Sequence, residues 1–140
     1  MASKNVETSM AAHRAFNNRD FDAVVKTMAA DIVYQDIPRG TTFRGRNEFK
    51  EFMAGWTKAL SNAEVFEPTY LEAGDTVIAQ FTGRGRNDGP MGSFAPKGKQ
   101  MSVQFCEIFQ FDKQGLMVSG WVYYDQLSML IQLGHIQPLK

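Results

Sequence analysis

Cysteine is almost missing from this sequence: Cys106 stands alone, so no intrachain disulfide can form and no cysteine cluster can hold zinc or an iron–sulfur centre. Histidine is nearly as scarce, with His13 and His135 the only two, and there is no Gly-x-Ser-x-Gly elbow, His-Glu-x-x-His or phosphate-loop lysine motif. Metal and serine-hydrolase chemistry are thereby disfavoured, and neither a metal nor another cofactor is expected. A surplus of charge is also absent. Fifteen Lys and Arg balance fifteen Asp and Glu, which leaves no broad field to hold nucleic acid or an anionic membrane. No stretch approaches the roughly 18 apolar residues that would span a bilayer, and the opening MASKNVETSM lacks the apolar core of a signal peptide. A cytoplasmic protein is expected, with no membrane partner.

What is present is an ordinary globular composition, 44% hydrophobic and 21% charged. At 140 residues it suits one domain spanning 1–140 around a single core. Val6, Met10 and Phe16, with small alanines between, predict a helix from Val6 to Asn17. Phe21, Val24, Val25, Met28 and Ala29 fall at i, i+3, i+4, i+7 and i+8 and predict a second, with Asp20 as its cap. Ile32 to Ile37 reads as a short strand, and Phe49, Phe52, Met53, Trp56 and Leu60 as a third helix. Strands are then predicted over Glu64–Leu71, Thr76–Gly83, Gln100–Phe111 and Leu116–Tyr124, separated by Gly-containing turns. A closing helix, Gln126 to Leu133, is stopped by Gly134. Helices gathered first and strands later predict an α+β fold, N-terminal helices packed on a curved antiparallel sheet. The Gly/Pro-rich segment Asn87–Lys99 is either a lid or a plain surface connection.

Strand alternation puts Val103, Phe105, Glu107, Phe109 and Phe111 on one face, with Glu107 the single charge on an apolar wall. A buried carboxylate is paired, protonated or kept for chemistry, and Arg84 and Arg86 are the cross-strand partners considered for it. The same count puts Ser119, Trp121, Tyr123 and Asp125 together on the next strand. If the two strands are antiparallel neighbours, Asp125 and Glu107 approach one cavity, one as base and one as hydrogen-bond donor, an arrangement for proton abstraction beside a carbonyl. Asp125 also precedes the closing helix and suits its N-cap. Tyr34, Trp56, Phe81, Phe105, Trp121 and Tyr123 are the expected pocket walls. Asp36 shares strand parity with Ile32 and Tyr34 and is a third candidate pocket acid, although Pro38 and Gly40 beside it also suit a turn. His13, near the Val6/Met10 stripe, reads as a satisfied core histidine. The uncharged opposite faces, Ser102, Gln104, Cys106, Ile108 and Gln110 on one strand and Val118, Gly120, Val122 and Tyr124 on the other, are expected to pack against a second copy, giving a homodimer through the sheet.

Over nearly its whole length the chain resembles the SnoaL-like polyketide cyclase group of the NTF2-like superfamily. The resemblance runs through HRAFNNRDFDAVVKTMAADIVYQD, GDTVIAQFTGRGRNDGPMGSFAPKGKQMSV and GWVYYDQLSMLIQLG. It implies a cone-shaped α+β fold. It also implies that Asp125, at the end of the tryptophan-containing strand, is the acid/base of an intramolecular aldol cyclisation, and that Glu107 matches a cavity-facing histidine or acid of the preceding strand. Relatives commonly read Gly-Thr-His where this chain has Gly85-Arg86-Asn87, so that histidine's role is missing here. The expected function is cofactor-independent acid/base catalysis on a small hydrophobic carbonyl compound, of cyclase or isomerase type. The alternative is a non-catalytic module that binds such a molecule; the superfamily hosts both.

Overall fold

Ser3 starts the first helix by accepting a hydrogen bond from the Val6 amide, one of the donors that a helix start leaves unpaired, and α1 runs over Lys4–Asn17. The computed structural model describes residues 2–139. After α1 come α2 (Phe21–Val25), β1 (Met28–Asp36), β2 (Thr41–Arg44), α3 (Gly45–Ala59), β3 (Glu64–Ala73), β4 (Thr76–Arg86), β5 (Gln100–Phe111), β6 (Met117–Tyr124) and α4 (Gln126–Gln132). The strands form one curved sheet in the order β2-β1-β6-β5-β4-β3. Helix α1 lies against β3 and β4, α3 against β1 and β2, and α4 against β5. Among the described residues no helix is long and apolar enough to cross a membrane.

The α+β arrangement follows the expectation, with three local differences. The second helix is only five residues long because Thr27 turns its hydroxyl back to the Val24 carbonyl while its own carbonyl accepts from the Met117 amide. Met28 therefore enters the sheet beside Met117, and the helical spacing of Met28 and Ala29 continues as strand burial. The short edge strand β2, inside the segment read as a loop, pairs antiparallel with β1. The pair β1–β6 is parallel, whereas every other neighbouring pair is antiparallel. The long excursion between these two strands frees them from the antiparallel geometry that a hairpin imposes.

A bulge decides which way β6 faces. Gln110 pairs with Ser119 but Phe111 pairs with Met117, so one extra residue, Val118, sits on the β6 side. Met117 points into the core, and after the bulge Gly120, Val122 and Tyr124 do too, opposite Phe109, Glu107 and Phe105. This corrects the expected faces of β6: Ser119, Trp121 and Tyr123 lie on the outer side with Gln110, Ile108 and Cys106. Gly120 is required at its position. A Cβ there would stand 2.5 Å from Phe109 Cε1 and 2.7 Å from Tyr34 Cδ1, so the two rings close over a bare backbone.

The segment after β4 is tied down rather than loose. Asn87 is fully buried; its Nδ2 donates to the Ala59 and Gly89 carbonyls and its Oδ1 accepts from His135 Nε2. Phe94 stacks on His135 at 4.7 Å, and Lys97 Nζ donates to the Gly134 carbonyl. Gly134, at φ 81, ends α4 as expected.

Candidate functional site

Between α1, α3 and the inner face of β4, β5 and β6 lies a cavity of about 90 Å³. Phe16, Phe49, Phe52, Trp56, Phe81, Phe105 and Phe109 supply aromatic walls, with Val77, Ala79, Met101 and Val122 between them. A water needs only about 10–15 Å³ of such space, so the cavity takes a molecule of several heavy atoms. Its polar groups are few: Ser9, His13, Tyr34 and Glu107, with Glu64 and Arg84 joined in an ion pair.

Glu107 is 8% exposed and both of its oxygens are held. Tyr34 donates its hydroxyl to Oε2 at 2.5 Å, and His13 Nε2 lies 2.8 Å from Oε1. On the far side of the imidazole, Tyr70 OH is 2.7 Å from Nδ1. The imidazole thus bridges the Tyr70 hydroxyl and the Glu107 carboxylate through its two ring nitrogens. Burial, and after it the negative charge of Glu107, pushes Tyr34 well above the ordinary phenol value and Tyr70 up to about 12. Both phenols therefore remain protonated, and Tyr34 donates to the carboxylate. An ionised carboxylate offers about four lone-pair sites, so the cavity side of Glu107 retains acceptor capacity.

The fold sets this geometry through α1. Asn17 at its last turn clasps the backbone of Val65, donating to its carbonyl at 3.0 Å and accepting from its amide at 2.8 Å. Arg19, just beyond, donates to the Ser61 and Ala63 carbonyls. The helix is thus pinned against β3, with His13 one turn before the clasp and facing Glu107. The ring of His13 also packs on Tyr70 and edge-on against Phe81.

Five of the residues expected at the site line the cavity: Tyr34, Trp56, Phe81, Phe105 and Glu107. The partner of Glu107 is His13 rather than an arginine; Arg84 is taken by Glu64 and by the Phe66 ring. Asp125 is exposed, caps α4 by accepting from the Ser128 amide at 2.9 Å, and lies in a shallow outer groove beside Cys106 and Tyr123. Asp125 and Glu107 therefore do not share a cavity, because the bulge at Val118 reverses the parity on which that expectation stood. The same reversal puts Trp121 and Tyr123 outside. Asp36 is fully buried but does not line the cavity. It accepts from Tyr124 OH at 3.0 and 3.2 Å, and Tyr124 stacks on Phe105. Burial raises the Asp36 carboxyl above the ordinary value of 3.8, against the lowering effect of the Tyr124 and Arg39 contacts.

His13, Ser9 and Tyr70 were not read as site residues. A signal for two of them exists: Ser9, Ala12, His13 and Phe16 fall at i, i+3, i+4 and i+7, the stripe of α1 that faces the cavity. Two polar residues on a buried stripe are a mark of function that the Val6/Met10 stripe conceals. Among the described residues no group of three or more His, Cys, Asp or Glu is placed to hold a metal ion.

Residues 7–133 match the model of the SnoaL-like polyketide cyclase family. No curated protein is significantly similar. Among solved structures, a protein of Jannaschia sp. CCS1 assigned as a SnoaL-like polyketide cyclase is 20% identical, with a TM-score of 0.85 over 96% of this chain and 94% of its own. AclR of Streptomyces galilaeus, assigned as a hydroxylase, is 19% identical, with a TM-score of 0.83 over 97% and 84%. A protein with a ketosteroid isomerase-like fold from Catenulispora acidiphila DSM 44928, in complex with trimethylamine, is 23% identical, with a TM-score of 0.79 over 91% and 92%. At such identities the likeness shows the fold, and that fold is NTF2-like.

Proposed function

Because the chain belongs to the SnoaL-like polyketide cyclase family, we propose that it is a cofactor-independent acid/base enzyme for a small, neutral, largely apolar carbonyl compound. The observation that carries this reading is the carboxylate of Glu107, clamped by Tyr34 and His13 on the wall of a mostly apolar cavity. Glu107 takes a proton from the carbon next to the carbonyl, leaving an enolate and a carboxylic acid. In an isomerisation that proton returns to a different carbon. In an aldol cyclisation the nucleophilic carbon adds to a second carbonyl of the same molecule, and the new alkoxide takes the proton back. The clamp holds the base in one rotamer, and the aromatic walls keep water from quenching the enolate. The base in this reading is Glu107; Asp125, outside the cavity, caps a helix.

The test is α-proton exchange of small enolisable ketones in D2O, followed by NMR. The wild type is expected to speed exchange and Glu107→Gln to lose at least about 100-fold, the range of a general base. Exchange by Glu107→Gln within tenfold of wild type removes Glu107 from the mechanism. A second reading, a binding module without turnover, draws support from the fact that each Glu107 oxygen already has a protein donor. It predicts ketones that bind but do not exchange.

We also propose a homodimer through the outer face of the sheet, where Val33, Gln35, Ser119, Trp121, Tyr123, Ile108, Cys106, Gln104, Gln80 and Ile78 form an uncharged surface. Light scattering at micromolar concentration tests it, and a monomer there contradicts it.

A further inference from the structure

We infer that Ser9 is a ligand-binding residue, whose hydroxyl holds the oxygen of a neutral carbonyl compound while the apolar body of that compound fills the cavity. The inference rests on the carbonyl-binding reading above and names the group that recognises the carbonyl oxygen.

Ser9 is 3% exposed and lines the cavity, yet among the described residues its Oγ has no hydrogen-bond partner. It is a buried polar side-chain atom left in that state. Such orphans are rare because they forfeit the hydrogen bond that water would have given. A serine inside a helix has a local remedy, the carbonyl four residues back. Thr8, its neighbour in sequence, takes it, donating to the Lys4 carbonyl at 3.0 Å. Ser9 does not. Alanine would suit a buried position of α1 better on propensity alone, as at Ala12, so neither propensity nor a hydrogen bond among the described residues accounts for the hydroxyl.

The surroundings define the partner. Ser9 and His13 are four residues apart on one helix, so their Cβ atoms lie roughly 5–6 Å apart. Glu107 is bonded to that same His13. Ser9 and Glu107 line the same cavity, so a molecule whose oxygen is held by Ser9 shares that cavity with the carboxylate. The nearby Glu107 disfavours an anionic ligand, and an ammonium group, although aromatic rings attract it, has no lone pair to accept the Ser9 hydroxyl. What fits is a neutral oxygen acceptor on a hydrocarbon body. If Glu107 removes the neighbouring proton, negative charge grows on this oxygen and the Ser9 bond strengthens with it.

The experiment titrates the full chain with cyclopentanone and, as a shape match without the oxygen, cyclopentane, following chemical shifts by NMR. Wild type is expected to prefer the ketone. In Ser9→Ala that preference should fall about 5-fold, the worth of one hydrogen bond, while cyclopentane binds as well or better and the thermal midpoint stays level or rises. The inference is overturned if Ser9→Ala keeps the ketone preference, if wild type shows none, or if Ser9→Ala unfolds several degrees lower, which would place the hydroxyl's partner within the fold. Glu107→Gln separates the two readings: it should lose α-proton exchange yet keep the ketone preference. Exchange that survives in Glu107→Gln sinks the catalytic reading and leaves Ser9 standing.

Discussion

Glu107 and Asp125 stand on or next to neighbouring strands of one sheet and are held in opposite ways. Glu107 is buried, its oxygens bonded to side chains from α1 and β1, elements distant in sequence. Asp125 is exposed and bonded to the Ser128 amide three residues ahead. One carboxylate is positioned by the tertiary structure and the other by its own helix. The difference teaches that the acid able to meet an apolar ligand is the one whose partners come from far along the chain.

The largest expected effect follows directly. In ketone exchange, Glu107→Gln should lose at least about 100-fold whereas Asp125→Asn stays within about threefold; the reverse order would break the comparison. Next in size, His13→Ala leaves Glu107 Oε1 and the Tyr70 hydroxyl without their partner, and should cost about 2–3 kcal/mol in urea unfolding. A cost under about 0.5 kcal/mol would mean that the buried carboxylate does not depend on α1. Gly120→Ala drives a methyl into Tyr34 and Phe109, and should destabilise by about 1–3 kcal/mol while slowing exchange, since Tyr34 must move off Glu107. Unchanged exchange would show that the Tyr34 clamp is dispensable.

Smaller still, Asp125→Ala should cost about 1 kcal/mol, the worth of an N-cap, with little effect on exchange. The last effect concerns pH. Burial raises the Asp36 carboxyl in the folded state above 3.8. Its contribution to stability is therefore fully present below 3.8 and lost as pH rises through the folded value. Asp36→Asn cannot lose it. The stability of wild type relative to Asp36→Asn should be greatest in acid and decline toward neutrality, as read from unfolding midpoints across the range. A difference that grows with pH would reverse the sign of this account.

Much of the fold was legible from local periodicity. The Gln100–Phe111 strand has the bounds expected, and its alternation correctly put Glu107 inside and Cys106 on the other face. Tyr34, Trp56, Phe81 and Phe105 were found as cavity walls for the same reason, since each stands on the apolar side of its own element. The failures share a cause too. Trp121, Tyr123 and Asp125 were misplaced by a single bulged residue, which alternation cannot register because it arises from pairing with β5. His13 reads as core from spacing alone because its partner lies 94 residues away.

The sequence by itself determined that this chain forms amphipathic helices followed by long strands, that one strand carries a single acid on an apolar face, and that no cysteine pair or charge excess helps hold it together. Those properties live in spacing and composition, which each segment carries alone. Which residues meet Glu107, which way β6 faces, and that Ser9 opens onto a cavity were decided only by the tertiary structure. They depend on register and on the seat of α1 against β3, and such relations exist only once distant segments have packed.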